Sequence, residues 1–259
     1  MRFILVHGGF HGAWCWERVA PELEKLGHEA IALDLPGHGE RAAERPANYL
    51  GRIRPILDVL RDGDVLVGHS GGGYDICVAA SEAPDKVGHL IFLAAGLPFE
   101  GKSVIEAAGG SYEQDRDGPP RATRLMDNST GMLRYVEPQT DGTMKWVSKE
   151  GARRFFYHDC DDATVDWAFS MLSPGISPFP TERLRLTAFW KAQLPRSYIL
   201  CRQDRSKPLA MSEDVIRRLG VEPLVIDASH SPFLSRPEEL AALFVRAVGT
   251  RPVGPLLPL

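Results

Sequence analysis

At 259 residues, with 44% hydrophobic and 25% charged side chains, the chain can bury a substantial core as one large α/β domain or two small ones. Its formal net charge of -4 and the lack of a long basic run give no reason to expect nucleic acid or an anionic membrane as a partner. The four cysteines, Cys15, Cys77, Cys160 and Cys201, form no Cys-x-x-Cys pair, so neither a zinc site nor a disulfide framework is suggested, and free, buried thiols are expected.

Met1 to His7 enters an apolar strand at once, without the length or cleavage site of a signal peptide. No stretch approaches the roughly 18 apolar residues of a membrane span, so the cytoplasm is the default expectation. Phe3 to Val6 reads as a strand buried on both faces that ends in His7-Gly8-Gly9-Phe10-His11-Gly12, a loop whose glycines let backbone amides approach a ligand. Helical spacing of Trp14, Val19, Leu23 and Leu26 predicts a helix over 13–26 with Gly27 as its stop. A second strand, Glu29 to Leu33, runs into the turn Asp34-Leu35-Pro36-Gly37-His38-Gly39, and a helix interrupted near Pro55 is expected over Tyr49 to Leu60.

Asp64 to Val67 is the next strand, and it delivers Gly68-His69-Ser70-Gly71-Gly72-Gly73, followed by a helix to Ala83 and an apolar strand from His89 to Ala95. Alternating strands and helices predict an α/β fold with a mostly parallel sheet of about six strands and helices on both faces. Residues 1–97 form the first part of that core. From Pro98 to Lys191 no clean strand is visible; a polar run, Gly109 to Gly118, gives way to short helical pieces and a proline-rich stretch from Ser173 to Pro180. A structureless loop of that length is improbable inside a compact domain, so 98–191 is read as an inserted cap or lid. Its aromatics, Phe155, Phe156, Tyr157, Trp167, Phe169, Phe179, Phe189 and Trp190, serve mainly as the small core of that cap. The core resumes over 192–249 with a strand at Ser197 to Cys201, a helix from Ser212 to Leu219 and a strand at Pro223 to Ile226. Ser235-Arg236-Pro237-Glu238 has the form of a capping box opening a last helix to Val248, and 250–259 is an irregular tail.

Gly68-x-Ser70-x-Gly72 is a nucleophile elbow: the serine sits on a sharp strand-to-helix turn, and small residues on either side let strand and helix approach. A serine hydroxyl is a weak nucleophile, so a base is needed, and a group to orient that base. An elbow of this kind draws them from loops after later strands, acid before histidine. Asp204 lies just beyond the strand ending at Cys201, and His230 just beyond the strand ending at Ile226. His158 is the rival base, although Asp159, Asp161 and Asp162 beside it look like a solvated face or helix caps. Asp227 and Asp75 are the rival acids. Gly71 supplies one amide of an oxyanion hole, and the loop after the first strand supplies the second, from Gly9.

The stretch Phe3 to Trp16, the turn Asp34 to Gly39, the elbow, and Cys201-Arg202-Gln203-Asp204-Arg205 together resemble the α/β-hydrolases, and within them the short esterases and hydroxynitrile lyases of the plant methylesterase type. The resemblance covers the core well and the cap poorly. Hydroxynitrile lyases of this type carry Thr after the first-strand His and Lys after the catalytic His, whereas this chain has Gly8 and Ser231. The resemblance therefore implies the esterase branch: Ser70 attacks, His230 shuttles the proton, and Asp204 holds its tautomer. Phe10 and Trp14, with the aromatic cap, point to an apolar pocket for a small or medium hydrophobic ester, aromatic esters included. No metal or organic cofactor is implied. A small-molecule ester is the expected partner, and a homodimer is compatible with the chain. A lyase, a cofactor-independent oxygenase or a non-catalytic ligand sensor on the same fold are the alternative readings.

Overall fold

In the computed structural model, which describes residues 1–107, 131–140, 143–175 and 182–258, the apolar run at the start of the chain forms β1 (Arg2–Val6). The strands β2 (Glu29–Leu33), β3 (Asp64–His69) and β4 (Val87–Leu93) follow. A separate antiparallel pair, β5 (Val136–Pro138) and β6 (Met144–Trp146), joins Val136 to Trp146. Then come β7 (Arg196–Cys201) and β8 (Leu224–Ile226). The main sheet has six strands in the order β2-β1-β3-β4-β7-β8, each paired in parallel with its neighbours.

Side chains alternate across that sheet with the two-residue period of a strand. Phe3, Leu5, Val67, Ile91 and Leu93 face one way and join α1 (Val19–Lys25) and the last helix, Pro237–Val248. Ile4, Val6, Leu66, Leu90 and Phe92 face the other way, against α2 (Tyr49–Val59), α3 (Gly72–Glu82) and the helix Leu209–Leu219. The connection from β1 runs outward to β2, and the next one returns across β1 to β3, a reversal that opens a crevice at the carboxyl ends of β1 and β3. The glycine loop and the elbow both emerge there.

Several local expectations are corrected. The helix expected over 13–26 splits into a 3-10 turn, Ala13–Trp16, and α1. α2 runs through Pro55 without a break, since proline there removes one intrahelical bond while Ile53, Pro55 and Ile56 remain buried. Strands do occur within 98–191, but β5 and β6 have three residues each, too few for an alternating pattern to register. Ser235 ends a separate short helix, Pro232–Ser235, and its hydroxyl donates to Asp159 Oδ2 at 2.7 Å, so the last helix has no side-chain cap. Phe189 and Trp190 pack with the α3 side of the sheet rather than with the other aromatics of 98–191, and Trp190 Nε1 donates to Glu100 Oε2 at 2.7 Å. Gly109 to Gly118 and Phe179 lie outside the described residues. The irregular tail is pinned by backbone bonds such as Leu257 N–H to Arg218 O at 2.8 Å. All four cysteines are free. Among the described residues no helix is long and apolar enough to cross a membrane.

α2 and α3 are joined by a buried two-pronged ion pair, Arg52 Nε to Asp75 Oδ1 at 2.8 Å and Nη2 to Oδ2 at 3.2 Å. A buried charge stripped of its partner is costly, because the remaining ion cannot be rehydrated. Arg52→Met is therefore expected to destabilise the fold by about 3–5 kcal/mol, read as a lowered urea midpoint. An unchanged midpoint would show that Asp75 finds another partner.

Candidate active site

The turn after β3 has the strained geometry that an elbow needs: Ser70 is held at φ +52°, in the left-handed region that β-carbons disfavour. A Cβ at Gly68 would lie 2.6 Å from the Gly72 carbonyl oxygen, and one at Gly72 would lie 2.7 Å from that of His7. Across the crevice, a Cβ at Gly8 would come within 2.8 Å of the Ser70 Cβ and 2.9 Å of His69 Nδ1. The three glycines are thus required by close approach, not by flexibility. The backbone of Ser70 is bonded on both sides to the end of β4, through Ser70 N–H to Leu93 O at 3.1 Å and Gly96 N–H to Ser70 O at 3.0 Å.

Asp204 and His230 meet. His230 Nδ1–H donates to Asp204 Oδ2 at 2.7 Å, and both side chains are buried. The second oxygen, Oδ1, accepts the amides of Ser206 at 2.8 Å and Lys207 at 2.9 Å. Burial alone would raise the pKa of this carboxyl; attraction to the His230 ring, its hydrogen bond and the two amides outweigh burial and hold it below the ordinary value. With Nδ1 committed to an ionised carboxylate, Nε2 is the free basic nitrogen of the imidazole. The histidine loop is tied to the elbow by His69, whose Nε2–H donates to the His230 carbonyl at 2.9 Å.

The rival residues are engaged elsewhere. His158 Nε2–H donates to Gln203 O, Asp227 accepts from Gln203 Nε2 and Asp75 pairs with Arg52. Asp161 does cap a helix, accepting Thr164 N–H at 2.7 Å, but Asp159 belongs to no solvated face: it accepts Ser229 N–H at 2.9 Å beside His230. Lys207, which the sequence does not single out, reaches under the site and donates through Nζ to Ala95 O and, at 3.2 Å, to Tyr198 Oη. Burial brings its pKa down to about 7, partly opposed by Asp204.

Gly9 N lies 3.7 Å from the position of a Cβ built on Gly71, so the two backbone positions expected to form an oxyanion hole are neighbours. His7 Nδ1–H donates to Gly8 O at 2.8 Å while Leu35 N–H donates to His7 Nε2 at 3.2 Å. The Gly8 carbonyl and the Gly9 N–H share one trans-planar peptide, so anchoring the first orients the second. Phe10, at φ +67°, is buried between Trp146 and Phe156, with ring centroids 5.6 and 6.5 Å away. Trp14 is half-buried, stacks on His11 at 5.3 Å and meets Trp167 edge-on at 5.2 Å. Among the described residues no group of three or more His, Cys, Asp or Glu side chains is arranged to hold a metal ion.

Residues 3–243 match the model of the Alpha/beta hydrolase family. Norfluorocurarine synthase 1 of Strychnos sp is similar at 26% identity, over 92% of this chain and 91% of that protein. Methylesterase 7 of Arabidopsis thaliana is 28% identical over 94% of this chain and 95% of its own length. Among solved structures, a pyrethroid hydrolase from Sphingobium faniae JZ-2 superposes with a TM-score of 0.75 at 26% identity, covering 96% and 98% of the two chains.

The buried histidines also set the response to acid. Burial lowers the pKa of His11 to about 4, His89 to about 4 and His38 to about 3, and it lowers His7 and His69 well below the ordinary value, helped by neighbouring positive charge. The unfolded chain takes up these protons near 6.5, whereas the folded protein takes up those of His11 and His89 only near 4, that of His38 near 3, and those of His7 and His69 well below the ordinary value. Between those limits the unfolded state binds more protons, so stability falls as pH falls. The urea midpoint is expected to drop from pH 6.5 to 4 with a slope steeper than one titrating group can produce; a flat midpoint would mean that these rings protonate in place.

Proposed function

We propose a mechanism and a substrate class for this chain, which belongs to the alpha/beta hydrolase family and is a carboxylic-ester hydrolase. Ser70 is the nucleophile, His230 the general base and Asp204 its orienting acid. The buried 2.7 Å contact between His230 Nδ1 and Asp204 Oδ2, on a loop bonded to the residue preceding Ser70, carries this reading. Nε2 accepts the Ser70 proton as Oγ attacks the ester carbonyl, and the amides of Gly71 and Gly9 receive the charge that develops on the carbonyl oxygen. The imidazolium then returns its proton to the departing alkoxide, leaving an acyl-serine. Water, deprotonated by the same nitrogen, releases the acid and restores the hydroxyl.

The substrate is a small to medium hydrophobic carboxylic ester, aromatic esters included. Phe10 and Trp14 border the oxyanion loop, and the aromatic packing around them supplies an apolar wall for the part of the ester that does not react. Trp146, Phe156 and Trp167, from the segment between β4 and β7, cap this wall through their contacts with Phe10 and Trp14. The relative named methylesterase acts, by its name, on methyl esters, and the solved pyrethroid hydrolase, by its name, on pyrethroids. By the resemblance to the hydroxynitrile lyases, Gly8 and Ser231 in place of their Thr and Lys favour hydrolysis over cyanohydrin cleavage.

Turnover of p-nitrophenyl acetate and butyrate tests the assignment. Ser70→Ala and His230→Ala are each expected to lower kcat by about 10⁶, as members of a unit, and Asp204→Asn by about 10⁴ through loss of the productive tautomer. Turnover by Ser70→Ala equal to that of the unmodified protein would sink the acyl-serine route.

A further inference from the structure

The turn Phe156–Asp159 touches three loops of the proposed site. Ser229 Oγ donates to Phe156 O at 2.7 Å, and Ser229 N–H donates to Asp159 Oδ2 at 2.9 Å, both next to His230. His158 Nε2–H donates to Gln203 O at 2.9 Å, next to Asp204. Tyr157 goes the other way, across 146 positions of sequence, and its hydroxyl lies 2.7 Å from His11 Nε2. His11 Nδ1 is in turn 2.9 Å from the carbonyl oxygen of Gly9.

The proton positions in this chain follow from chemistry. A carbonyl only accepts, so His11 Nδ1 carries hydrogen and donates to Gly9 O. His11 is buried and remains neutral at neutral pH, so Nε2 has a lone pair and Tyr157 must donate to it. Tyr157 is fully buried, which raises its pKa and keeps the phenol protonated. A histidine at 11 without that donor is free to take its hydrogen on Nε2 instead, which would leave a lone pair facing the Gly9 carbonyl. The loop needs the restraint: Phe10 stands at φ +67°, and a Cβ at Gly9 would meet nothing within 4 Å, so no side-chain packing orients that position.

We infer that Tyr157 is a positioning residue for the amide of Gly9, acting through His11 by holding that ring in the Nδ1–H tautomer. His7 anchors the peptide before Gly9 and His11 the peptide after it, so the direction of the Gly9 N–H is set from both sides. This rests on the reading of Gly9 as an oxyanion donor to an ester attacked by Ser70.

Steady-state kinetics on p-nitrophenyl butyrate, combined with ¹⁵N shifts of the His11 ring, test it. Tyr157→Phe is expected to lower kcat about tenfold with KM little changed, a fraction of the loss from deleting an oxyanion donor, and to move the His11 signals away from the pure Nδ1–H tautomer. His11→Asn, whose amide nitrogen can stand in for Nδ1 without needing a tautomer, is expected to retain most of kcat, and adding Tyr157→Phe to it should change nothing further. An unchanged kcat or unchanged ring shifts in Tyr157→Phe would overturn the proposal. So would an equal loss from Tyr157→Phe in the His11→Asn background, since that is the behaviour of a packing residue. Ser70→Ala serves as the separate control: full turnover there defeats the acyl-serine reading itself, whereas loss there with an indifferent Tyr157→Phe defeats only the tautomer relay.

Discussion

The turn at Ser70 closes because Gly8, Gly68 and Gly72 each lack a Cβ that would fall within 3 Å of the neighbouring chain. That approach brings the carboxyl ends of β1 and β3, already adjacent in the sheet, into backbone contact, and the rest of the site follows from it. Ser70 is forced to φ +52°, which turns its side chain out of the sheet. Gly71 is brought beside Gly9, and His69, the last residue of β3, is placed where its ring can bond the carbonyl of His230. The strain of the serine is held by bonds to Leu93 and Gly96, so the sheet itself supplies the energy for a conformation that an isolated loop would relax.

A second constraint is the use of neutral imidazoles as two-ended connectors. His7 and His11 each donate from one nitrogen to a carbonyl of the glycine loop and accept on the other, from Leu35 N–H and Tyr157 O–H respectively. Neutral histidine is suited to this, because one ring is donor and acceptor at once and costs less to bury than a charged group. His230 shares the Nδ1–H pattern with a different partner: a carboxylate can stabilise a positively charged ring, while a carbonyl only holds a neutral one in place. The partner of Nδ1 is thus what separates His230 from His7 and His11.

The segment following β4 is joined to this framework with differing firmness. Phe156–Asp159 is bonded to the histidine loop, the acid loop and the glycine loop, and Ser173 N–H donates to Phe10 O at 2.8 Å. Trp146, by contrast, meets Phe10 of the glycine loop through ring packing, which is tolerant of small displacements in a way that hydrogen bonds are not. Polar ties register the loops that carry Gly9, Asp204 and His230, and apolar contacts shape the surface around Phe10.

The apolar runs of β1, β3 and β4, the glycine spacing around Ser70, and the order of Asp204 and His230 after later strands were all legible in the chain. Each is a local pattern: a strand's period, a turn's tolerance for a Cβ, or a position just past a strand end. The two three-residue strands, the continuity of α2 through Pro55 and the true partner of Ser235 were not, since burial and distant partners decided them. The same holds for Tyr157, His158 and Asp159. Beside one another in sequence they look like a polar patch on an inserted segment, yet they act on residues 146, 45 and 70 positions away. Sequence by itself determined which groups could do chemistry and in what order they arrive. Only the tertiary structure decided which hydrogen bond each buried histidine makes, because a tautomer is chosen by the partner that folding brings to it.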